Sequence, residues 1–256
     1  MILNKKNGVS YYSFENMSAF SDIVHGIFTR NGGTSTGPFN SLNVGFRVGD
    51  KKENVLENRE IVSDIFGGKD LICVRQIHGT HGVVIKEKEA YAGINRETPP
   101  AGDALVTDRR NLLLVIQVAD CQPVMVYDPE QHVAANIHCG WRGNVENIIG
   151  RTIGVMRNTF NCRPEKLIAG IGPSLGPCCA EFVNYKQEIP EIYWKHKSGE
   201  NYFDLWAISR DQLCSAGVLP ENIELSNMCT QCNTDQFFSY RGEKLTGRFA
   251  AVIGLV

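Results

Sequence analysis

Short apolar runs separated by polar turns dominate this chain, and most have the length of a buried strand rather than of a helix. Residues 23–29, 71–77, 104–107, 112–119, 124–128, 133–137 and 248–256 read as strands. A helical period replaces the strand pattern at three places. At 53–66, Val55, Val62, Ile65 and Phe66 fall near helical spacing, with Gly67 and Gly68 as the stop. From Asn144, a candidate cap, Val145, Ile148, Ile149, Thr152, Met156 and Phe160 share one face. A third helix is expected over 205–216, capped by Asp204 and ended by Gly217. These stripes predict core faces. The polar, glycine-rich segment 31–43 predicts a loop and a candidate functional lip.

Strands 104–107, 112–118, 124–128 and 133–137 follow one another across short turns such as Asp128-Pro129, which predicts antiparallel neighbours. With helices before and after this block, the expectation is an α+β layered fold in which helices cover the sheets. No linker, charge block or repeat divides the chain, so residues 1–256 are expected to form a single domain.

Composition narrows the partners. The chain has 256 residues, 43% of them hydrophobic, enough for one large core. A formal net charge of −2 offers no basic field for nucleic acid. No apolar stretch approaches the roughly 20 residues that span a bilayer. Nine cysteines, an odd count, and no charged-then-apolar leader over 1–12 predict a reducing cytoplasm. Cys229 and Cys232 form a lone C-x-x-C with no second pair at suitable spacing, which reads as structural thiols. Cys178 and Cys179, in the turn-like GPSLGPCC, either pack or border a pocket.

The candidate chemistry gathers at the ends of apolar runs: His78 in QIHG, Cys121 in ADCQP and His138 in IHCGWRG. Each alone reads as a hydrogen-bonded core residue. Together, two imidazoles and a thiolate make a three-ligand zinc set whose fourth position stays open, the mark of a catalytic site. Gly79 and Gly140 permit close backbone approach beside them. Two other chemistries use the same residues: a copper centre, or Cys121 as nucleophile with His138 as base, hydrolysing an amide. The absence of any H-x-H pair argues against a coupled copper cluster. A fourth protein ligand would instead indicate a closed, non-catalytic site.

Asp120 precedes Cys121 and reads either as a ligand orienter or general base, or as a loop carboxylate. Arg30, Arg75, Arg142 and Arg241 stand in turn contexts beside glycines, where guanidinium forks suit phosphate or carboxylate. An anionic substrate follows if they converge. Trp141 and Phe28 are candidate stacking faces for a planar ring.

HGIFTRNGGTSTGPFNSLNVG over 25–45, QIHG, GDALVTD over 102–108, ADCQPV, IHCGWRG, IGPSLG, CT at Cys229 and FFSYRGEKLTGR occur in this order. Together they resemble the YfiH family, whose members have been called multicopper polyphenol oxidases or laccase-like proteins, purine nucleoside phosphorylases and peptidoglycan-editing factors. The resemblance implies a four-layer α/β/β/α fold and a zinc site at His78, Cys121 and His138, with copper a possible occupant in vitro. It implies a small-molecule enzyme: phosphorolysis of adenosine, inosine and methylthioadenosine with phosphate as partner, and deamination of adenosine. Asp120, Cys121 and His138 are then the expected catalytic group. Arg30 and Asn43 of the N-terminal motif join Arg75, Arg142 and Arg241 as expected substrate contacts. The alternatives are an amidase editing a peptidoglycan precursor and a copper-dependent polyphenol oxidase. One departure is Cys139, where the family usually has alanine; a thiol there introduces the prospect of oxidation or a further metal contact.

Overall fold

The computed structural model describes residues 1–86 and 99–256. In chain order the strands are β1 (Ile2–Lys6), β2 (Val9–Ser13), β3 (Ile23–Phe28), β4 (Asp70–Cys73), β5 (Gly82–Ile85) and β6 (Ala104–Thr107). They continue with β7 (Leu112–Val118), β8 (Gln122–Asp128), β9 (Val133–Cys139), β10 (Ile168–Ile171), β11 (Ile223–Leu225) and β12 (Phe249–Leu255). They build two six-stranded mixed sheets, ordered β1-β2-β3-β12-β7-β4 and β11-β10-β8-β9-β6-β5. No helix among the described residues is long and apolar enough to cross a membrane.

The inner strands β7, β8, β9 and β12 are buried almost throughout because both of their faces are covered. Along β7, Leu112, Leu114, Ile116 and Val118 enter the core between the sheets. Leu113 and Val115 turn the other way, onto Val62, Ile65 and Phe66 at the end of the Lys52–Ile65 helix. On the second sheet, Ala135, Ile137 and Cys139 of β9 face Ile149, Ile153 and Met156 of the Ile148–Phe160 helix and Leu213 of the Leu205–Ser215 helix. The layers therefore run helix, sheet, sheet, helix, as the α+β and four-layer expectation requires. Asn136 of β9 is a polar exception inside the sandwich. Its Nδ2 donates across the gap to the carbonyls of Leu114 (2.9 Å) and Ala251 (2.8 Å) in the opposite sheet.

Three local expectations need correction. The turns between consecutive strands do not all make hairpins: only β8 and β9 of the 104–137 block pair with their sequence neighbour, antiparallel. The chain instead changes sheet between β6 and β7 and again between β7 and β8, with Asn111 (φ 63°) and Asp120 (φ 88°) in left-handed conformations at the crossings. The 71–77 strand stops at Cys73, so His78 lies on a loop. The helix expected from Asn144 is two helices, Trp141–Val145 and Ile148–Phe160, and Asn147 caps the second by accepting from Gly150 N–H. Asn144 points inward, donating to Ser209 Oγ at 2.7 Å and to Cys139 Sγ at 3.3 Å. Asp204 does cap the Leu205–Ser215 helix, accepting from Ala207 N–H.

Candidate metal centre and its cavity

Two of the sheet crossings converge at one end of the sandwich. The connection from β4 to β5 carries His78, and the connection from β7 to β8 carries Cys121. His138 completes the set from within β9, on the same side of the strand as Asn136 and therefore facing the opposite sheet. One ligand atom of each residue lies within 4.8 Å of the others. The two imidazole rings sit edge to face with centroids 4.8 Å apart.

Asp103, fully buried at the start of β6, organises this group. Its Oδ1 accepts from His78 N–H at 2.9 Å and its Oδ2 from Gly79 N–H at 2.8 Å, which holds the His78 loop, where His78 has φ 58°. The same Oδ1 is 2.8 Å from His138 Nδ1, leaving Nε2 to face Cys121. A carboxylate on the remote nitrogen fixes the tautomer and orientation of a ligating histidine. Burial opposes the charge on Asp103, but His138 and the backbone N–H groups outweigh it and hold the carboxyl below its ordinary range. Burial likewise opposes the Cys121 thiolate, yet His138 and His78 bring that thiol down to about 6. His138, which burial alone would depress, is raised to about 9 by Cys121 and Asp103.

The donor chemistry fits a borderline-soft divalent metal, with two nitrogens and a readily formed thiolate. The space fits as well. A Cβ added at Gly140 would lie 2.8 Å from His78 Nδ1 and 3.3 Å from Cys121 Sγ, so the glycine keeps the ground before the donor atoms clear. Gly79 serves differently: a Cβ there meets Asp103 Oδ2 at an ordinary 3.7 Å, and its contribution is the N–H. Cys139 adds no ligand. It faces the helix-covered core, and burial pushes its thiol up to about 12.

A cavity of about 950 Å³ opens in front of the group. Arg47, Arg59, Arg75, Arg142, Arg241 and Arg248 line it, and among the described lining residues Asp120 is the only carboxylate. A molecule of net charge −2 thus concentrates positive charge at one opening. Arg75, Arg142 and Arg241, three of the four arginines singled out in the sequence, line this cavity. Arg47, Arg59 and Arg248 are additions; nothing in their local sequence separates them from surface arginines. Phe46, Trp141, Phe182 and Tyr240 supply apolar and aromatic wall, with Arg142 stacked 4.3 Å over the Trp141 ring. Phe28 belongs to the core behind the first sheet and offers no stacking face.

Arg30 and Asn43 do not line the cavity. Arg30 is a strut: it pairs with Glu243 at 2.7 Å, donates to the carbonyls of Thr234 and Asn40, and lies over the Phe238 ring. Asn43 is fully buried, its Oδ1 accepting from Gly45 N–H (2.9 Å) and Arg248 N–H (2.8 Å). Asn43 thereby positions Gly45 and Arg248, which do reach the cavity. Asp120 borders it, but its carboxylate is committed to the Thr230 and Ser239 hydroxyls, each at 2.7 Å, and to Arg241 N–H. The geometry makes it the anchor of the segment presenting Arg241.

The family described as multi-copper polyphenol oxidoreductase laccase matches residues 24–256. A Geobacillus stearothermophilus protein named purine nucleoside phosphorylase YlmD is 32% identical across 92% of this chain and 91% of its own length. A purine nucleoside phosphorylase of Bacteroides thetaiotaomicron is 33% identical across 89% of each chain. Among solved structures, Bacillus licheniformis hypothetical protein YfiH superposes with a TM-score of 0.88 at 29% identity, covering 99% of both chains. YlmD from Geobacillus stearothermophilus also gives 0.88, at 30% identity over 98% of this chain and 97% of that one.

Proposed function

The chain belongs to the multi-copper polyphenol oxidoreductase laccase family, and on that footing we propose that it is a zinc-dependent purine nucleoside phosphorylase that also deaminates adenosine. The observation that carries this reading is the His78, Cys121 and His138 group set in a cavity lined by six arginines and a single described carboxylate. Relatives named purine nucleoside phosphorylase, at 32% and 33% identity, support it.

Phosphorolysis of adenosine, inosine or methylthioadenosine breaks the bond from the sugar's anomeric carbon to the base and forms one to a phosphate oxygen. The phosphate's proton leaves with the base. Arg75, Arg142, Arg241 and Arg248 line the cavity, and their guanidinium groups would hold that phosphate and balance its charge. Trp141, Phe182 and Tyr240 line the same cavity and supply the aromatic side chains against which a purine would pack. His78, Cys121 and His138 would hold the zinc, with Asp103 fixing the His138 tautomer through Nδ1. When bound, the metal supplies a Lewis acid at the cavity floor. Copper competes for the same donors in vitro. Nine free cysteines are consistent with a reducing cytoplasm.

A second reading rests on one specific observation. A Cys121 thiol brought down to about 6, paired with a His138 that Asp103 orients, is also the arrangement of a cysteine hydrolase acting on an amide, such as one in a peptidoglycan precursor. Polyphenol oxidation has less support. Among the described residues, which include all six histidines, His78 and His138 alone join a mixed His/Cys cluster, and no methionine lines the cavity to serve as an axial ligand.

Metal-quantified protein incubated with adenosine, with and without phosphate, tests the proposal against a His138→Ala control. Adenine formed only with phosphate, inosine formed without it, and loss of metal and turnover together in the variant are expected. Turnover by metal-free protein, abolished by iodoacetamide, would move the assignment to the hydrolase.

A further inference from the structure

Away from the cavity floor, the fold gathers a second set of metal-ligating side chains that the sequence leaves apart. Cys178 and Cys179 lie in the loop after β10, and Cys229 and Cys232 in the loop after β11. A parallel bridge between Ser174 and Cys229 zips the loops together, Ser174 N–H donating to Met228 O (3.1 Å) and Thr230 N–H to Ser174 O (3.0 Å). The pair missing from the lone C-x-x-C is therefore the adjacent Cys178 and Cys179, brought in by strand pairing.

The four Sγ atoms lie within 4.8 Å of one another, and Cys232 Sγ is 3.6 Å from both Cys178 Sγ and Cys179 Sγ. Zinc–sulfur bonds of about 2.3 Å in a tetrahedron place the sulfurs roughly 3.8 Å apart. The cluster thus has the dimensions of a single four-coordinate ion. Gly176 N–H donates to Cys229 Sγ at 3.3 Å, the kind of outer contact that steadies a ligating thiolate. Sulfur on all four corners selects a soft or borderline cation.

We propose that Cys178, Cys179, Cys229 and Cys232 form a closed tetrathiolate site for one zinc ion, separate from the three-ligand centre in the cavity. Four protein ligands leave no position for substrate, so the role is structural. What it fastens is specific. Thr230, next to Cys229, donates to the Asp120 carboxylate, and the Arg241 guanidinium donates to the carbonyls of Cys179 (3.5 Å) and Glu181 (3.1 Å). The ion clamps the frame that presents Arg241 beside Cys121.

Metal analysis of reduced, desalted protein expressed with zinc tests this. Wild type is expected to hold about two zinc equivalents per chain, and a His78→Ala/His138→Ala variant about one. Cobalt loaded into that variant should show the intense thiolate-to-cobalt charge transfer of a four-sulfur site. Cys232→Ser, at an exposed ligand, should lose this ion and keep the cavity metal. A histidine variant that neither retains nor takes up metal would overturn the proposal. So would a disulfide between Cys232 and Cys178 or Cys179 in freshly purified protein, found by non-reducing peptide mapping. If Cys232→Ser does not fold, organomercurial titration of the His78→Ala/His138→Ala variant decides: zinc released in step with these thiols supports the site, and thiols titrating without zinc release overturn it.

Discussion

At the scale of single residues, the centre depends as much on what is absent beside the ligands as on the ligands. Gly140→Ala keeps an allowed backbone (φ −71°) but places its methyl against His78 Nδ1 and Cys121 Sγ. The variant should fold and lose the cavity metal, whereas Gly79→Ala should keep it; metal stoichiometry beside a thermal melt checks both. Asp103→Asn removes the carboxylate that orients His138 and should weaken metal binding on the order of 10- to 100-fold, measured by chelator competition. The titrating pair gives a pH signature in chelator-treated protein. Cys121 is lowered, so its contribution is complete above its ordinary 9 and lost as pH falls through about 6. His138 is raised, so its contribution is complete below its ordinary 6.5 and lost as pH rises through about 9. The melting temperature should therefore be highest between these limits and fall on both sides. A Cys121→Ser profile indistinguishable from wild type would contradict the pairing. The candidate ligands are legible in the sequence because each stands in a compact motif. Asp103 is not, since its importance comes from backbone N–H groups of a loop twenty-odd residues earlier, which no local pattern reveals. Arg30 and Asn43 are expected at the substrate because they lie in the family's N-terminal motif, but their side chains pair with Glu243 and with Gly45 and Arg248 N–H instead.

At the scale of elements, the sequence located seven of the twelve described strands and the three longest helices, missed β1, β2, β5, β10 and β11, and misjudged how the strands connect. Apolar runs mark burial, and burial is the same whether a turn closes a hairpin or carries the chain to the facing sheet. Asp120 is where this matters. A non-glycine residue at φ 88° ends β7, and the crossing it makes puts Cys121 between the sheets. The helix after β9 shows a similar ambiguity: Asn144 and Asn147 both look like caps, and only packing against Ser209 decides that Asn144 turns inward. Asn136 of β9 offers a test of how the sheets are joined. Asn136→Ala leaves the Leu114 and Ala251 carbonyls without its amide in a dry gap, which should cost about 1–3 kcal/mol in urea unfolding. A neutral result would mean that apolar packing alone holds the sandwich.

At the scale of the molecule, charge is the property that composition conceals. A net charge of −2 describes the chain, but a substrate arriving at the cavity meets six arginines. The phosphate KM should rise with ionic strength, and more steeply than the KM for an uncharged nucleoside. Equal slopes would show that phosphate does not use the arginine wall. The two crossings that deliver His78 and Cys121 also mean that the reactive centre is the hem of the sandwich: the sheets cannot part at that end while the three side chains share an ion. Occupancy and cohesion are then one variable. A chain without the ion would be looser at that end, and its susceptibility to proteolysis would rise in step with the loss of metal.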